Sequence, residues 1–261
     1  MLDNFKELFR YRPLVLALIE RQLALRYRGS LLGFLWSFLN PLLLMLIYTL
    51  VFKFYIRIDH SAVGNYSIFL FCGLLPWVMT TSALVEGCSA IVSSGHLITK
   101  AMFPAQVLPT VSVITALVHF VLSLPLLVIF MLIAGVPFHF SIILLPLVVG
   151  IHALMLIGLT WLVSALNVHY RDVQHLVANL LSFLFFLCPI VYPASNVPEQ
   201  FRPILYLNPL ALLTEVYHQV LLLGVWPSLS TWLYLLAWTL LLMIIGSAVF
   251  SRLKESFAES L

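Results

Sequence analysis

The sequence predicts an all-α integral membrane protein: six transmembrane helices, an N-terminal amphipathic helix in the membrane interface, and a re-entrant pair of short helices on the outer side between spans five and six. Three observations predict it. Apolar residues make up 62% of the 261-residue chain and charged residues only 9%, with a mean hydropathy of +1.09. That balance leaves too little polar surface to coat a soluble globule of this size. Long apolar segments also recur at the length of about 20 residues that a hydrocarbon core of about 30 Å requires of a helix. Finally, the basic residues fall between those segments with a consistent sidedness.

The chain opens with a basic stretch, Tyr11 to Arg28, in which Tyr11, Leu14, Leu18 and Leu25 share a helical face with Glu20 opposite. A helix of that pattern suits the inner interface, where Arg21, Arg26 and Arg28 anchor it to anionic lipid or grip a pyrophosphate headgroup through paired hydrogen bonds. Residues 1–30 are therefore read as a cytoplasmic interface segment and residues 31–261 as the transmembrane domain. Such a charged start, followed by an apolar run much longer than a signal core, argues against a cleaved leader.

Spans are expected at 31–54, 68–92, 107–133, 142–166, 176–192 and 232–250, the fifth being short. The stretch 204–223 is apolar enough to suggest a seventh, but it carries Asn208, Pro209, Glu215 and His218. A carboxylate at the centre of a span costs about 2.5 kcal/mol or more, and Pro209 removes a backbone donor, so a broken, re-entrant helix pair fits better. Six spans place Lys6, Arg10, Arg12, Arg21, Arg26, Arg28, Lys100, Arg171, Arg252 and Lys254 inside, and only Lys53, Arg57 and Arg202 outside. A seventh would move Arg252 and Lys254 out, so both termini are expected in the cytoplasm. The loops are short, apart from an outer excursion at 193–228, and leave no room for a soluble domain.

Catalytic chemistry is sparse. The nearest phosphate-loop lookalike, Gly95-His-Leu-Ile-Thr-Lys100-Ala, lacks the second glycine and the hydroxyl after the lysine, so ATP hydrolysis is expected elsewhere and the chain is not read as an enzyme. The eight histidines are scattered at spacings that do not gather imidazoles for a metal, and Cys72, Cys88 and Cys188 lie in apolar runs as small hydrophobes. A net charge of +3 without a basic patch gives no sign of nucleic acid. Glu86 and Glu215 are the carboxylates nearest the membrane. Glu86 is read as paired with a neighbouring helix or reaching the interface, and Glu215 as exposed on an outer helix.

Aromatic residues are abundant. Trp36, Asn40, Leu44, Tyr48, Phe52 and Tyr55 recur at intervals of four and three on the first span, and Asn179, Ser182, Phe183 and Phe186 make a second stripe on the fifth. Sugar rings stack on aromatic faces and their hydroxyls bond to amides, so Trp36, Asn40, Tyr48, Phe52, Asn179, Phe183 and Phe186 are candidates to line a carbohydrate path. Ordinary packing and interfacial belts account for the same residue types.

Four stretches, in order along the chain, carry a resemblance: Arg21-Gln-Leu-Ala-Leu-Arg-Tyr-Arg-Gly-Ser-Leu-Leu-Gly-Phe-Leu-Trp36 with Asn40-Pro41; Leu97-Ile-Thr-Lys-Ala-Met-Phe-Pro104; Tyr170-Arg-Asp-Val173; and Cys188-Pro-Ile-Val-Tyr-Pro193 with Asn208-Pro209. Together they resemble the membrane subunits of bacterial ABC-type polysaccharide exporters, such as the O-antigen, capsule and teichoic acid permeases. The resemblance implies a homodimer in the cytoplasmic membrane, docked on two copies of a separate ATPase that binds ATP and Mg, moving a lipid-linked polysaccharide outward. It implies a coupling role for Ser94, His96, Leu97, Lys100 and Phe103, and an outer gate at 194–224 with Tyr192, Asn208, Pro209 and Glu215. Asp172, at the start of the fifth span, suits a helix N-cap. An exporter of a lipid or drug, or a proton-coupled flippase, is the alternative.

Overall fold

The computed structural model describes residues 7–57, 64–100 and 103–260, without the side chains of Tyr27, Phe34, 98–100, Ala258 and Glu259. Lys6, His60 and the Lys100 side chain therefore lie outside the described residues. The described chain is helical throughout. Its α-helices are α1 (Arg12–Tyr27), α2 (Trp36–Tyr48), α3 (Tyr66–Ser93), α4 (Gly95–Lys100), α5 (Val107–Ile133), α6 (Leu145–His169), α7 (Val173–Leu187), α8 (Arg202–Leu207), α9 (Pro209–His218), α10 (Leu229–Leu253) and α11 (Phe257–Ser260). Two of them continue as wider π-helical turns, α2 through Thr49–Tyr55 and α9 through Gln219–Leu223. Among the described residues, five helices are long and apolar enough to cross a membrane: Trp36–Tyr55, Tyr66–Ser93, Val107–Ile133, Phe140–His169 and Leu229–Ser256.

Helix α3 is the central mast. Its most apolar stretch is 78% buried, against 17–33% for the other four long helices. Asn65 caps it, accepting hydrogen bonds from the Ser67 and Ile68 amides at 3.1 and 3.4 Å. Helices α5, α6, α7 and α9 all pack on it, and α10 packs on α6. The last contact is unusually close: a Cβ placed on Gly246 would lie 2.0 Å from the Gly158 carbonyl oxygen, so only glycine lets these backbones meet. We call the end where α3, α6 and α10 finish basal, and the opposite end distal.

Several expected boundaries move. The first helix begins at Trp36, not at residue 31, because Gly29 and Gly33 adopt positive φ of 78° and 47° and turn the chain before it can wind up. The span expected at 176–192 is the helix Val173–Leu187. It stops there because Pro189 disfavours helical backbone at Cys188, which is extended at φ −97° and ψ 143°. At 15 residues it is about 22 Å long, short of a hydrocarbon core. Asp172 sits at its N-cap position but makes no side-chain cap bond. The capping oxygen comes from Asn167 Oδ1, which accepts from the Gln174 amide at 3.2 Å while its Nδ2 donates to the Cys88 carbonyl at 3.1 Å.

Helix α1 buries Val15 and Ile19 against Val107 and Val111 of α5, with Leu18 packed beside them, while Tyr11 and Leu14 are half-buried and Leu25 is exposed. Its contacts climb α5 in step, reaching Thr115 from Gln22. Helix α2 then crosses α3 instead of running along it. Trp36 and Asn40 share a cavity with Leu75, Val78, Met79 and Ser82, whereas Tyr48, three turns later, faces Trp77, Thr81 and Val85 at the same level of α3.

Candidate functional site

The crossing of α2 over α3 divides the expected aromatic stripe between two openings. The first, about 300 Å³, is lined by Arg26, Trp36, Asn40, Ser82, His119 and Ser123 among others. It brings together one expected headgroup arginine and two expected path residues, with the Trp36 indole donating to Ser30 Oγ at 3.0 Å. Hydroxyls, an amide and an imidazole here face an otherwise apolar wall of Leu75, Val78, Ala116 and Phe120.

The second opening, about 390 Å³, lies between α2, α3 and α7. Tyr48 stacks on Phe185 with ring centroids 5.2 Å apart; Trp77 meets the same ring edge-on at 5.8 Å and Phe186 at 5.1 Å. Phe52 stands beside Tyr48 at 6.0 Å. Thr81 and Ser182 supply the polar atoms of this cleft, though each hydroxyl already donates to its own helix. Asn179 and Phe183 belong to neither opening; Phe183 is 62% exposed on the outer face of α7. Trp77, Phe185 and Thr81 were not anticipated. The signal for Phe185 was available, since Val177, Leu181 and Phe185 are spaced by four and form the buried seam of α7.

At the basal end, Glu86 is held by α1. Arg26 Nη2 lies 3.1 Å from one carboxylate oxygen and Gln22 Nε2 donates to the other at 3.1 Å, while Thr115 Oγ1 donates to Gln22. Arg26 is thus committed to a carboxylate partner, as the sequence suggested for Glu86, while Arg21 and Arg28 remain exposed. Arg21, Ser94, His96 and Leu97 line a third opening of about 400 Å³ with Glu86, Ser89, Ser93 and Ser112. Phe103 lies in a fourth, about 350 Å³, with Glu7, Arg10, Lys254 and Glu255.

The distal end is closed by α9, whose residues are almost all buried, including Tyr217 and His218. Asn208 caps it, accepting from the Leu210 amide at 3.1 Å, and donates to Cys188 Sγ at 3.5 Å. His218 Nε2 lies 2.9 Å from the Phe69 carbonyl and so donates to it. His152 bridges α3, α6 and α9. Thr80 gives its proton to the Pro76 carbonyl at 2.9 Å, so His152 Nε2 donates to Thr80 Oγ1 at 2.9 Å and Nδ1 accepts from the Tyr217 hydroxyl at 3.2 Å. Tyr192 donates to the Phe186 carbonyl at 2.9 Å, tying the exit of α7 to its own last turn. Glu215 is half-buried on α9, not exposed as expected, and burial pushes its carboxyl above the ordinary range.

Long apolar helices, a short basal helix between two of them and a buried, capped helix at the far end make up the frame. The family model described as ABC-2 type transporter matches residues 13–222, most of the chain. The chain belongs to the ABC-2 type transporter family. Among curated relatives of this ABC-2 chain, a Myxococcus xanthus protein named O-antigen export system permease protein RfbA is 40% identical over the full length of both chains. A Klebsiella pneumoniae protein of the same name is 30% identical, covering 95% of each chain. The Escherichia coli polysialic acid transport protein KpsM is 25% identical over 94% of this chain and 95% of its own.

Proposed function

We propose that this ABC-2 chain is the permease subunit of an ATP-driven exporter that moves a lipid-linked polysaccharide, of the O-antigen or capsule kind, outward across the bacterial cytoplasmic membrane. The observation that carries the reading is the end-to-end match to polysaccharide export permeases, without a gap large enough to hold a different domain. The aromatic cleft supports it chemically: Tyr48, Trp77 and Phe185 offer ring faces to a sugar, with hydroxyls at the rim. A proton-coupled flippase is disfavoured by Glu86, whose carboxylate is occupied by Arg26 and Gln22 and is not free to relay a proton.

On this reading residues 1–30 form the basic interface segment and 31–261 the transmembrane domain. The membrane is crossed six times with both termini in the cytoplasm, α7 being the short fifth crossing. Its missing length is made up by the non-helical turn residues that follow it, buried in protein, where such chain is tolerated at membrane depth. Cys188, Ile190 and Val191 are all buried, and Tyr66 of α3 donates to the Val191 carbonyl at 2.8 Å. Helices α8 and α9 form the re-entrant outer gate, with Tyr192, Asn208, Pro209 and Glu215 as its gate residues. Helix α4 is the coupling helix; with the flanking Ser94 and Phe103 it gathers the coupling residues Ser94, His96, Leu97, Lys100 and Phe103 in one segment, seated on an ATPase partner that holds ATP and Mg. Two permeases and two ATPases complete the transporter. The exposed apolar face of α7, with Phe183, suits the permease–permease contact, and Arg21 and Arg28 suit a phosphorylated lipid headgroup.

The test is complementation of a permease deletion strain, with surface polysaccharide normalised to extracted dimer. Trp77→Leu and Phe185→Leu preserve apolarity and should insert normally, yet export should fall. Equal export per dimer in both variants would remove the aromatic cleft from the path, and failure of the unmodified chain to restore any surface glycan would overturn the export reading itself.

A further inference from the structure

The last residues of the chain do more than end α10. After Leu253 the helix tightens through Lys254–Ser256 and continues as α11, which packs back against α4. Phe257 is completely buried there. Its ring meets Phe250 of α10 edge-on at 5.5 Å and lies 6.2 Å from the His169 ring at the foot of α6. His169 Nε2 is 2.9 Å from Ser256 Oγ, whose proton is given to the Leu253 carbonyl at 2.8 Å.

These contacts belong to a separate buried cluster: Ile91, Ala105, Trp161, Ala165, Val168, Met243, Phe250 and Phe257. Among the described residues, Ile91 is the last buried one before α4 and Ala105 the first after it. The cluster therefore grips the segment carrying α4 from both flanks and joins it to the α6–α10 pair, which is itself locked by the Gly158–Gly246 approach. Trp161 extends the joint to α5 by donating to Thr110 Oγ1 at 3.0 Å. A six-residue helix between two turns has too few internal hydrogen bonds to hold its own orientation, so its direction must be set by what it packs on. The opposite side of the same C-terminal turn faces open space: Lys254 and Glu255 border the groove that contains Phe103, Glu7 and Arg10.

We propose that residues 254–260 are a strut that orients the coupling helix α4 against α6 and α10, with Phe257 as the positioning residue, so that a push on α4 moves the transmembrane bundle instead of tilting α4 alone. The inference rests on the reading of α4 as the ATPase contact. It assigns to the extreme C-terminus a place in energy coupling, carried by a buried aromatic ring and not by contact with nucleotide or glycan.

The experiment uses the full permease–ATPase complex in reconstituted vesicles and reads glycan moved per ATP hydrolysed, together with cross-linking from a cysteine at Leu97 to the ATPase. Phe257→Ala should leave the cross-link and ATP hydrolysis in place while glycan moved per ATP falls about fivefold or more, the scale of a typical coupling free energy. Phe257→Leu, which refills most of the volume, should restore much of the ratio. Should Phe257→Ala not accumulate, Phe257→Val keeps some fill, loses the edge-on ring contacts and carries the same expectation. An unchanged ratio in the variant that folds overturns the strut, as does a loss that only tracks the amount of folded protein. If the Leu97 cysteine never cross-links in the otherwise unmodified complex, it is the coupling role of α4 that falls, a result separable from an unchanged ratio with the cross-link present.

Discussion

The close approach of Gly158 and Gly246 yields a sharp stability prediction. A Cβ on Gly246 would stand 2.0 Å from the Gly158 carbonyl oxygen, and one on Gly158 would stand 2.7 Å from the Leu242 carbonyl carbon. Backbone cannot rotate aside as a side chain can, so Gly246→Ala must push α10 away from α6 by about 1.4 Å to reach ordinary contact. A gap of 0.5–1 Å already forfeits roughly a quarter to a half of each dispersion contact along the seam. Overpacking of this kind costs about 1–3 kcal/mol, against which alanine's better helix propensity returns up to about 1 kcal/mol. Gly150, also on α6, is the control, because nothing lies within 4 Å of its added Cβ. There only the propensity gain remains, and Gly150→Ala should be neutral or mildly stabilising. At about 2–4 °C per kcal/mol for a chain of this size, thermal unfolding in detergent should place Gly246→Ala several degrees below the unmodified protein and Gly150→Ala at or above it. The double change Gly158→Ala with Gly246→Ala should cost less than the two singles together, since the first already parts the helices. The reasoning fails if Gly246→Ala unfolds at the same temperature as Gly150→Ala.

Three further outcomes are expected. A reporter fused after Leu261 should be cytoplasmic and one inserted beside Glu199 external, because ten of the thirteen basic residues then lie inside; an external C-terminus would overturn the six-crossing topology. Asn167→Ala should destabilise by about 0.5–2 kcal/mol through loss of the cap on α7. An unchanged midpoint in denaturant unfolding would show that the cap contributes nothing. Tyr217→Phe should leave His152 Nδ1 without its donor in a fully buried site, a cost of about 1–3 kcal/mol. Combined with His152→Leu, which removes the same bond, the total should fall well short of the sum, and strict additivity in an unfolding cycle would refute the bridge.

How much of this was legible in the sequence depends on whether a signal is local. Helix existence is local: Val107–Ile133 matches the hydropathic run to the residue because a capless apolar segment has nothing else to become in lipid. The end of α7 was local too, and was misplaced because the apolarity of 188–192 was weighed above Pro189, whose steric effect on Cys188 decides the backbone. Asn167 replaced Asp172 as the cap because capping needs an oxygen aimed at the first free amides, and a residue on the preceding helix held that aim. The candidate site depends on a different kind of signal. Intervals of four and three correctly put Trp36, Asn40, Tyr48 and Phe52 on one side of one helix, but a stripe defines a single path only if its neighbour runs alongside it. Because α2 crosses α3, the same stripe opens first toward His119 and Ser123 on α5 and then toward Phe185 on α7. Crossing geometry is set by which side chains interdigitate, information held in two helices at once. The histidines make the complementary case. His152 and His218 are separated by 66 positions, yet both hold α9 to α3, one through Thr80 and Tyr217 and the other through the Phe69 carbonyl. A buried imidazole must find a donor and an acceptor wherever the fold places them, so the break at Asn208 and Pro209 could be anticipated from the sequence while the bonds that seat α9 could not.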